Sequence, residues 1–302
     1  MTRRIALLVN PTSGKGRGAR LLEPVAERLR SSGVDVDVVT GRDADEAFDR
    51  VRNRVAAGVD GVVAVGGDGL VNIALQVVAG TDVPLGVVPA GTGNDIARAL
   101  GLSLADPVAA VDLVVRGATR AVDLGRANGR WFAGVLGSGF DSMVNERANR
   151  MSWPSGRSRY NLAILAELRT FRPVLYELVL DGETWTTEAM LVAVGNGPSY
   201  GGGMRVCPDA RLDDGLLDVT VLGPISKPEF LRVFPTVYKG THVRHPAVTV
   251  RRARQVSLTS SGVTAYADGE RVSVLPVTCD AVPDGMHVFA PHGSGEDRPP
   301  GT

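Results

Sequence analysis

Val62-Val63-Ala64-Val65-Gly66-Gly67-Asp68-Gly69-Leu70-Val71-Asn72 passes from an apolar run, through three glycines set around one aspartate, into a helix-like pattern. The uninterrupted apolar run suits a strand buried on both faces. The glycines permit torsions closed to other residues and the close approach of a bulky polyanion. A helix that begins just beyond them aims unpaired N–H groups at such an anion. Asp68 stands where a phosphate-bound Mg²⁺ needs a hard oxygen ligand. A strand-to-helix turn without a ligand uses the same residues, so the surrounding chain has to arbitrate.

The neighbouring segments repeat the unit. Ile5–Val9, Val34–Val39, Gly61–Val65 and Pro84–Val88 read as strands. Ala19–Arg30, Asp45–Ala57, Val71–Ala79, Asp95–Leu100 and a segment from Pro107 to Val115 read as helices. This alternation predicts a parallel sheet covered on both faces, with ligands at the carboxyl ends of its strands. From about Ala121 the rhythm changes to short strands parted by Gly, Pro and Asp turns, including Asp181-Gly182 and Asp284-Gly285. Arg130–Gly137 and Val277–Cys279 are among those strands, and helical patches interrupt them at Ser158–Thr170 and Lys227–Lys239. The expected class is α/β plus all-β: a nucleotide-binding α/β domain over 1–120 and an antiparallel β-sandwich over 121–291. The polar, Pro/Gly-rich tail 292–302 is expected to be disordered.

A chain of 302 residues has room for two cores. Its 33 basic and 33 acidic residues leave no net field, which argues against a dedicated nucleic-acid binder. No run of about 18 uncharged apolar residues offers a membrane-spanning helix. Met1-Thr2-Arg3-Arg4-Ile5 leads straight into a strand, with an apolar stretch too short for a signal-peptide core. Cys207 and Cys279 fit neither a disulfide framework nor a zinc site, and the cytoplasm is the expected compartment.

Three further glycine-rich loops join the first. Asn10-Pro11-Thr12-Ser13-Gly14-Lys15-Gly16 lacks the spacing of a Walker A loop, yet its hydroxyls and N–H groups can cradle phosphate. Pro89-Ala90-Gly91-Thr92-Gly93-Asn94-Asp95 offers close approach at Gly91 and Gly93 and a hydroxyl at Thr92; Asn94 or Asp95 is expected to cap the next helix. Three such loops at one edge of one sheet point to a phosphate ligand. Ala267-Asp268-Gly269-Glu270 lies far away. Alone it is a hairpin turn; brought over a nucleotide site, one of its carboxylates can serve as general base toward an alcohol.

Taken in order, Asn10–Gly14, Gly66–Gly69, Gly91–Asp95, Asp213-Asp214-Gly215-Leu216-Leu217-Asp218 and Asp268–Glu270 resemble the diacylglycerol kinase catalytic-domain family, over roughly residues 4–290. The closer likeness is to its bacterial lipid kinases without membrane spans. The resemblance implies an N-terminal domain like those of NAD kinases and 6-phosphofructokinases, a C-terminal β-sandwich, and an active site in the cleft between them. It implies ATP contacts from Asn10, Pro11, Thr12, Ser13, Gly14, Thr40, Gly66, Gly67, Asp68, Gly69, Leu70, Val71, Asn72 and Thr92. Asp68 would act near the phosphates and Mg²⁺, and Glu270 would accept the proton, with Asp268 beside it. The resemblance also implies a Mg²⁺ site at Arg211, Asp214 and Leu216, where Asp214 gives a carboxylate and the other two backbone carbonyls. One departure stands out: the family loop usually continues Gly-Asp-Gly-Thr, and Leu70 removes that hydroxyl.

The expected activity is ATP- and Mg²⁺-dependent phosphorylation of a lipid hydroxyl, diacylglycerol first and a sphingoid base next. An NAD kinase and a catalytically silent nucleotide or lipid sensor are the alternatives. The expected partner is a lipid substrate at a membrane surface, met by peripheral association at the inner face; the oligomeric state is open between monomer and homodimer. Arg147–Pro173 carries six arginines against the single acid Glu167, with Trp153, Leu162, Ile164, Leu168 and Phe171 among them. Such a stretch suits an anionic bilayer surface or a helix packed on the sandwich.

Overall fold

The computed structural model describes residues 2–11, 13–151, 153 and 157–291. Thr12, Pro154 and the tail 292–302 lie outside the described residues, as do the side chains of Lys15, Arg157, Arg159, Tyr160 and Leu165. The chain divides into two units, Met1–Asp123 with Pro283–Thr302, and Leu124–Val282.

In the first unit β1 (Arg4–Val9), α1 (Ser13–Ser31), β2 (Asp35–Val39), α2 (Ala44–Ala56), β3 (Gly61–Gly66), α3 (Asp68–Val78), β4 (Leu85–Pro89), α4 (Asp95–Ala99) and α5 (Ala109–Arg116) follow one another. The strands pair in parallel in the order β2-β1-β3-β4. β3 and β4 are buried along their whole length, which explains their lack of polar alternation. Register sets Leu8 beside Val39, Val9 beside Val65 and Gly66 beside Pro89. Asn10, Thr40, Gly67 and Ala90 therefore follow the strands at one edge of the sheet. α2 opens as its acidic first turn suggests, with the Asp43 carboxylate accepting the Glu46 N–H at 2.8 Å. α1 and α3 begin at Ser13 and Asp68, ahead of Ala19 and Val71, because glycines within their first turns hide the helical period.

The second unit takes in the later part of β5 (Thr119–Ala127), then β6 (Arg130–Phe132), β7 (Val135–Gly139), α6 (Phe140–Arg150), α7 (Arg157–Thr170), β8 (Val174–Leu180), β9 (Glu183–Ala189), β10 (Leu191–Gly195), β11 (Leu217–Leu222), α8 (Lys227–Val233), β12 (Val248–Ala253), β13 (Gln255–Thr259), β14 (Thr264–Ala267), β15 (Glu270–Val274) and the start of β16 (Val277–Phe289). One antiparallel sheet runs β12-β11-β10-β7-β14-β15. The other places β13 between β16 and β8, with β9 beyond β8. Tyr176, Leu178, Val256 and Leu258 from one sheet and Leu136, Val192, Val194, Leu217 and Ala265 from the other share a single core. This is the expected sandwich.

Four local expectations are corrected. Arg130–Gly137 is two strands, broken at Ala133-Gly134. α6 follows β7 directly, where no helix is expected. The Lys227–Lys239 patch is α8 followed by a 3₁₀ segment, Phe234–Lys239. Asp284-Gly285 is no hairpin turn: it lies inside β16, which runs on from Val277–Cys279 to Phe289. Asp284 takes the left-handed φ of 50° there, and its N–H donates to Asp123 Oδ1 at 3.0 Å. Beyond this kink Val288 pairs in parallel with Leu85. The second unit begins at Leu124, and residues from Pro283 complete the first unit's sheet.

Candidate active site

The three N-terminal loops meet at the carboxyl edge of the parallel sheet. A Cβ on Gly91 would fall 2.5 Å from the Cα of Gly67, so the second and third loops touch backbone to backbone. A Cβ on Gly14 would fall 2.0 Å from the Ala90 carbonyl oxygen, which brings the first loop against the third. The Ser13 N–H donates to the Asn10 carbonyl at 3.1 Å and closes the first loop into α1. Asn10, Pro11, Gly69 and Thr92 are exposed along this edge; Gly67 and Thr40 are half-buried, and the Thr40 carbonyl accepts a hydrogen bond from Arg50.

Asp68, the first residue of α3, turns its carboxylate toward the third loop. It accepts the Ile96 N–H at 3.2 Å, and the Asn94 and Asp95 N–H groups also bond to it. The cap expected from Asn94 or Asp95 therefore comes from Asp68. Asn94 has a left-handed backbone, and its side-chain amide instead clamps Gly91, accepting the N–H and donating to the carbonyl, both at 2.9 Å. Asp95 is buried and pairs with Arg98 at 3.1 Å. Burial and, behind it, the charge of Asp95 push the Asp68 carboxyl up; the backbone N–H bonds oppose them. Leu70, Val71 and Asn72 are buried, and the Leu70 side chain packs on Gly66. The N–H groups of Leu70 and Val71 both donate to the Gly67 carbonyl, so the rim of this loop is Gly67, Asp68 and Gly69.

In the second unit Asp268 and Gly269 form a two-residue hairpin between β14 and β15, with φ of 49° and 86°. The Asp268 carboxylate accepts N–H groups from Ala133, Gly134 and Val135 at 2.9, 3.0 and 3.1 Å. It fastens the turn to the β6–β7 junction. Glu270 begins β15 and is exposed, so its carboxylate remains accessible for chemistry.

Sequence reading misses a third feature. An apolar cavity in the second unit is lined by Phe140, Val144, Ile164, Phe230 and Phe234 among others, with Asp141, Tyr200, Thr220 and His242 as its polar residues. Burial pushes the Asp141 carboxyl up to about 6, against the pull of a Tyr200 hydrogen bond, and Asn145 Nδ2 lies 3.4 Å away. His242 Nε2 lies 3.1 Å from the Val206 carbonyl and so donates to it; among the described residues Nδ1 has no partner. Burial lowers the His242 pKa, which leaves a neutral ring with a buried acceptor at Nδ1. The only signal in the sequence is Gly139-Phe140-Asp141, an aspartate among apolar residues.

The Arg211–Leu216 loop is built differently from a metal site. Arg211 pairs with Asp213 at 2.9 Å. Asp214 Oδ1 accepts the Leu216 N–H at 3.1 Å, while Oδ2 is ion-paired with Arg252. Arg252 Nε also lies 3.3 Å from Asp218 Oδ2, and register places Arg252 directly across from Asp218. Among the described residues no group of three or more His, Cys, Asp or Glu can hold a metal ion. As built, the loop seats the Arg252 guanidinium at the Asp214 carboxylate.

Residues 4–127 match the diacylglycerol kinase catalytic domain, and residues 134–290 match the YegS C-terminal NAD kinase beta sandwich-like domain. A diacylglycerol kinase of Mycobacterium tuberculosis is 47% identical over 297 residues, covering 96% of each chain. One of Bacillus subtilis is 29% identical over 98% of its length. Two crystal structures from Bacillus anthracis, both described as diacylglycerol kinases, share the fold, with TM-scores of 0.79 and 0.74 at 24% and 22% identity over 96% of this chain and 96% and 97% of theirs. Among the described residues no helix is long and apolar enough to cross a membrane. The convergent glycine loops, the fastened Asp-Gly-Glu turn and these likenesses agree: the chain belongs to the diacylglycerol kinase family and is a lipid kinase.

Proposed function

We propose that this kinase uses Mg²⁺·ATP to phosphorylate the free hydroxyl of diacylglycerol. The observation that carries the reading is the meeting of three glycine-rich loops at the carboxyl edge of a parallel sheet, a surface suited to a triphosphate. Mg²⁺ enters with the nucleotide. Asn10, Ser13, Gly14, Gly67, Gly69 and Thr92 supply the cradle, and Asp68 fixes its shape by holding the third loop. Thr12 belongs to the same loop but lies outside the described residues. The apolar cavity in the second unit has the character of an acyl-chain site. The relatives named diacylglycerol kinase favour that acceptor over a sphingoid base.

Glu270 accepts the proton of the lipid hydroxyl as its oxygen attacks the γ-phosphorus. The bond from that phosphorus to the bridging oxygen breaks, and ADP leaves with the electron pair. Positioning and charge neutralisation supply most of the acceleration, as is usual for phosphoryl transfer. Asp268 keeps the Glu270 turn in place. The reaction requires Glu270 and the nucleotide to be brought together around the γ-phosphate during turnover.

Membrane access fits the α6–α7 pair. Arg147 and Glu167 tie the two helices together by an ion pair. Trp153 is 79% exposed, and Met143, Leu162 and Arg150 are also exposed. Aromatic and aliphatic tips among arginines suit an anionic headgroup layer. Sedimentation with phosphatidylglycerol vesicles is expected to exceed that with phosphatidylcholine vesicles, and Trp153→Ala to weaken it; equal binding to both would refute an electrostatic dock.

The test of function is γ-labelled ATP offered with a panel of diacylglycerols, sphingoid bases, ceramides and NAD. Label in an organic-extractable phosphatidate is expected. Label in an aqueous dinucleotide would make the chain an NAD kinase, and no label in any product would make it a sensor.

A further inference from the structure

The acidic loop before β11 already contains a cation. Asp214 and Asp218 lie on either side of Arg252, which pairs with both. Three observations set this arrangement apart from a chance surface contact. Backbone register fixes Arg252 opposite Asp218, so β11–β12 pairing itself delivers the guanidinium. Asp218 is almost fully buried, so its charge needs a partner within the fold. Asp214 is held at its other oxygen by the Leu216 N–H, which orients the carboxylate toward Arg252. The remaining acid of the turn, Asp213, is neutralised by Arg211.

We propose that Arg252 is the built-in counter-ion of this loop, and that the loop closes without any divalent metal of its own. The requirement for Mg²⁺ then belongs to the nucleotide alone. A planar guanidinium satisfies two carboxylates at fixed angles, which a hydrated Mg²⁺ bound through one carboxylate does not. The inference concerns the fold of the loop and stands whichever alcohol the kinase phosphorylates.

The experiment is thermal unfolding of the full, nucleotide-free chain in EDTA and in millimolar Mg²⁺, with bound Mn²⁺ counted by electron paramagnetic resonance. The wild-type chain is expected to unfold at the same temperature in both and to hold no stoichiometric Mn²⁺. Arg252→Met is expected to unfold about 3–6 °C lower in EDTA, to recover part of that loss with Mg²⁺ and to bind one Mn²⁺; Arg252→Lys, which keeps the charge, is expected to stay near wild type in EDTA. If Arg252→Met does not fold, a folded and EDTA-insensitive Arg252→Lys supports the proposal. It is overturned if Mg²⁺ alone stabilises the wild-type chain saturably and Asp214→Asn abolishes that gain. It is equally overturned if Arg252→Met matches wild type in EDTA and ignores Mg²⁺.

Discussion

Glu270 and Asp268 sit on one turn, but the structure gives them different surroundings. Glu270 is exposed, whereas Asp268 takes three backbone N–H groups. Glu270→Gln keeps the side-chain shape and removes the proton acceptor. Steady-state kinetics are expected to show kcat lower by about 10²–10⁴, with the unfolding temperature and ATP affinity unchanged. Asp141 offers a pH-dependent readout. Its carboxyl is held up to about 6 by burial, against 3.8 in the unfolded chain. Between those values the folded chain carries the extra proton. The stability this contributes is fully present below the lower value and is lost as pH rises through the upper one, roughly 3 kcal/mol in all. Urea titrations from pH 4 to 7 are expected to show that slope in the wild type and to lack it in Asp141→Asn. Asp268 illustrates what sequence conceals at this scale. An Asp-Gly turn reads as a turn, but acceptance of N–H groups from Ala133, Gly134 and Val135 depends on a strand pair more than a hundred residues distant in sequence.

At the level of single elements, α3 shows how a departure from family pattern can be absorbed. Leu70 turns inward onto Gly66, and its N–H closes the first turn on Gly67. Position 70 therefore belongs to the interior, and the accessible rim of the loop, where the nucleotide is proposed to lie, is residues 67–69. Leu70→Thr is expected to cost about 2 kcal/mol in urea unfolding, from lost apolar contact and a residual cavity, while the KM for ATP does not rise. The loops flanking α1, α3 and α4 are legible in sequence because glycines and hydroxyl residues cluster at strand ends. α6 is not, because Phe140–Arg150 follows Gly139 without a capping residue and carries mixed polarity. The partners of Asp214 are hidden for another reason: Arg252 reaches it through β-register, which no local spacing encodes.

For the molecule as a whole, the alternation of strands and helices followed by a run of strands discloses both architectures. The division of the chain is less legible, because Asp284-Gly285 has turn composition and yet lies within β16. Met286, Val288 and Phe289 are buried, and Val288 extends the parallel sheet beyond β4. A polypeptide ending at Asp123 lacks that strand and exposes the edge of β4. It is expected to bind a hydrophobic dye and lose cooperative unfolding, whereas the same polypeptide with residues 283–291 attached through a flexible linker regains a cooperative transition. A cooperative, dye-silent 1–123 polypeptide would show that the added strand is dispensable.

The kink at Asp284 has a consequence for biogenesis. As the nascent polypeptide leaves the ribosome, its first sheet is made early, yet its last strand is translated only after the intervening sandwich. Until then Leu85 and its neighbours present an open template to any extended segment nearby. Premature stop codons even a few residues before Met286 should therefore send the product to proteolysis or inclusion bodies, although every residue proposed to touch nucleotide or lipid has already been synthesised.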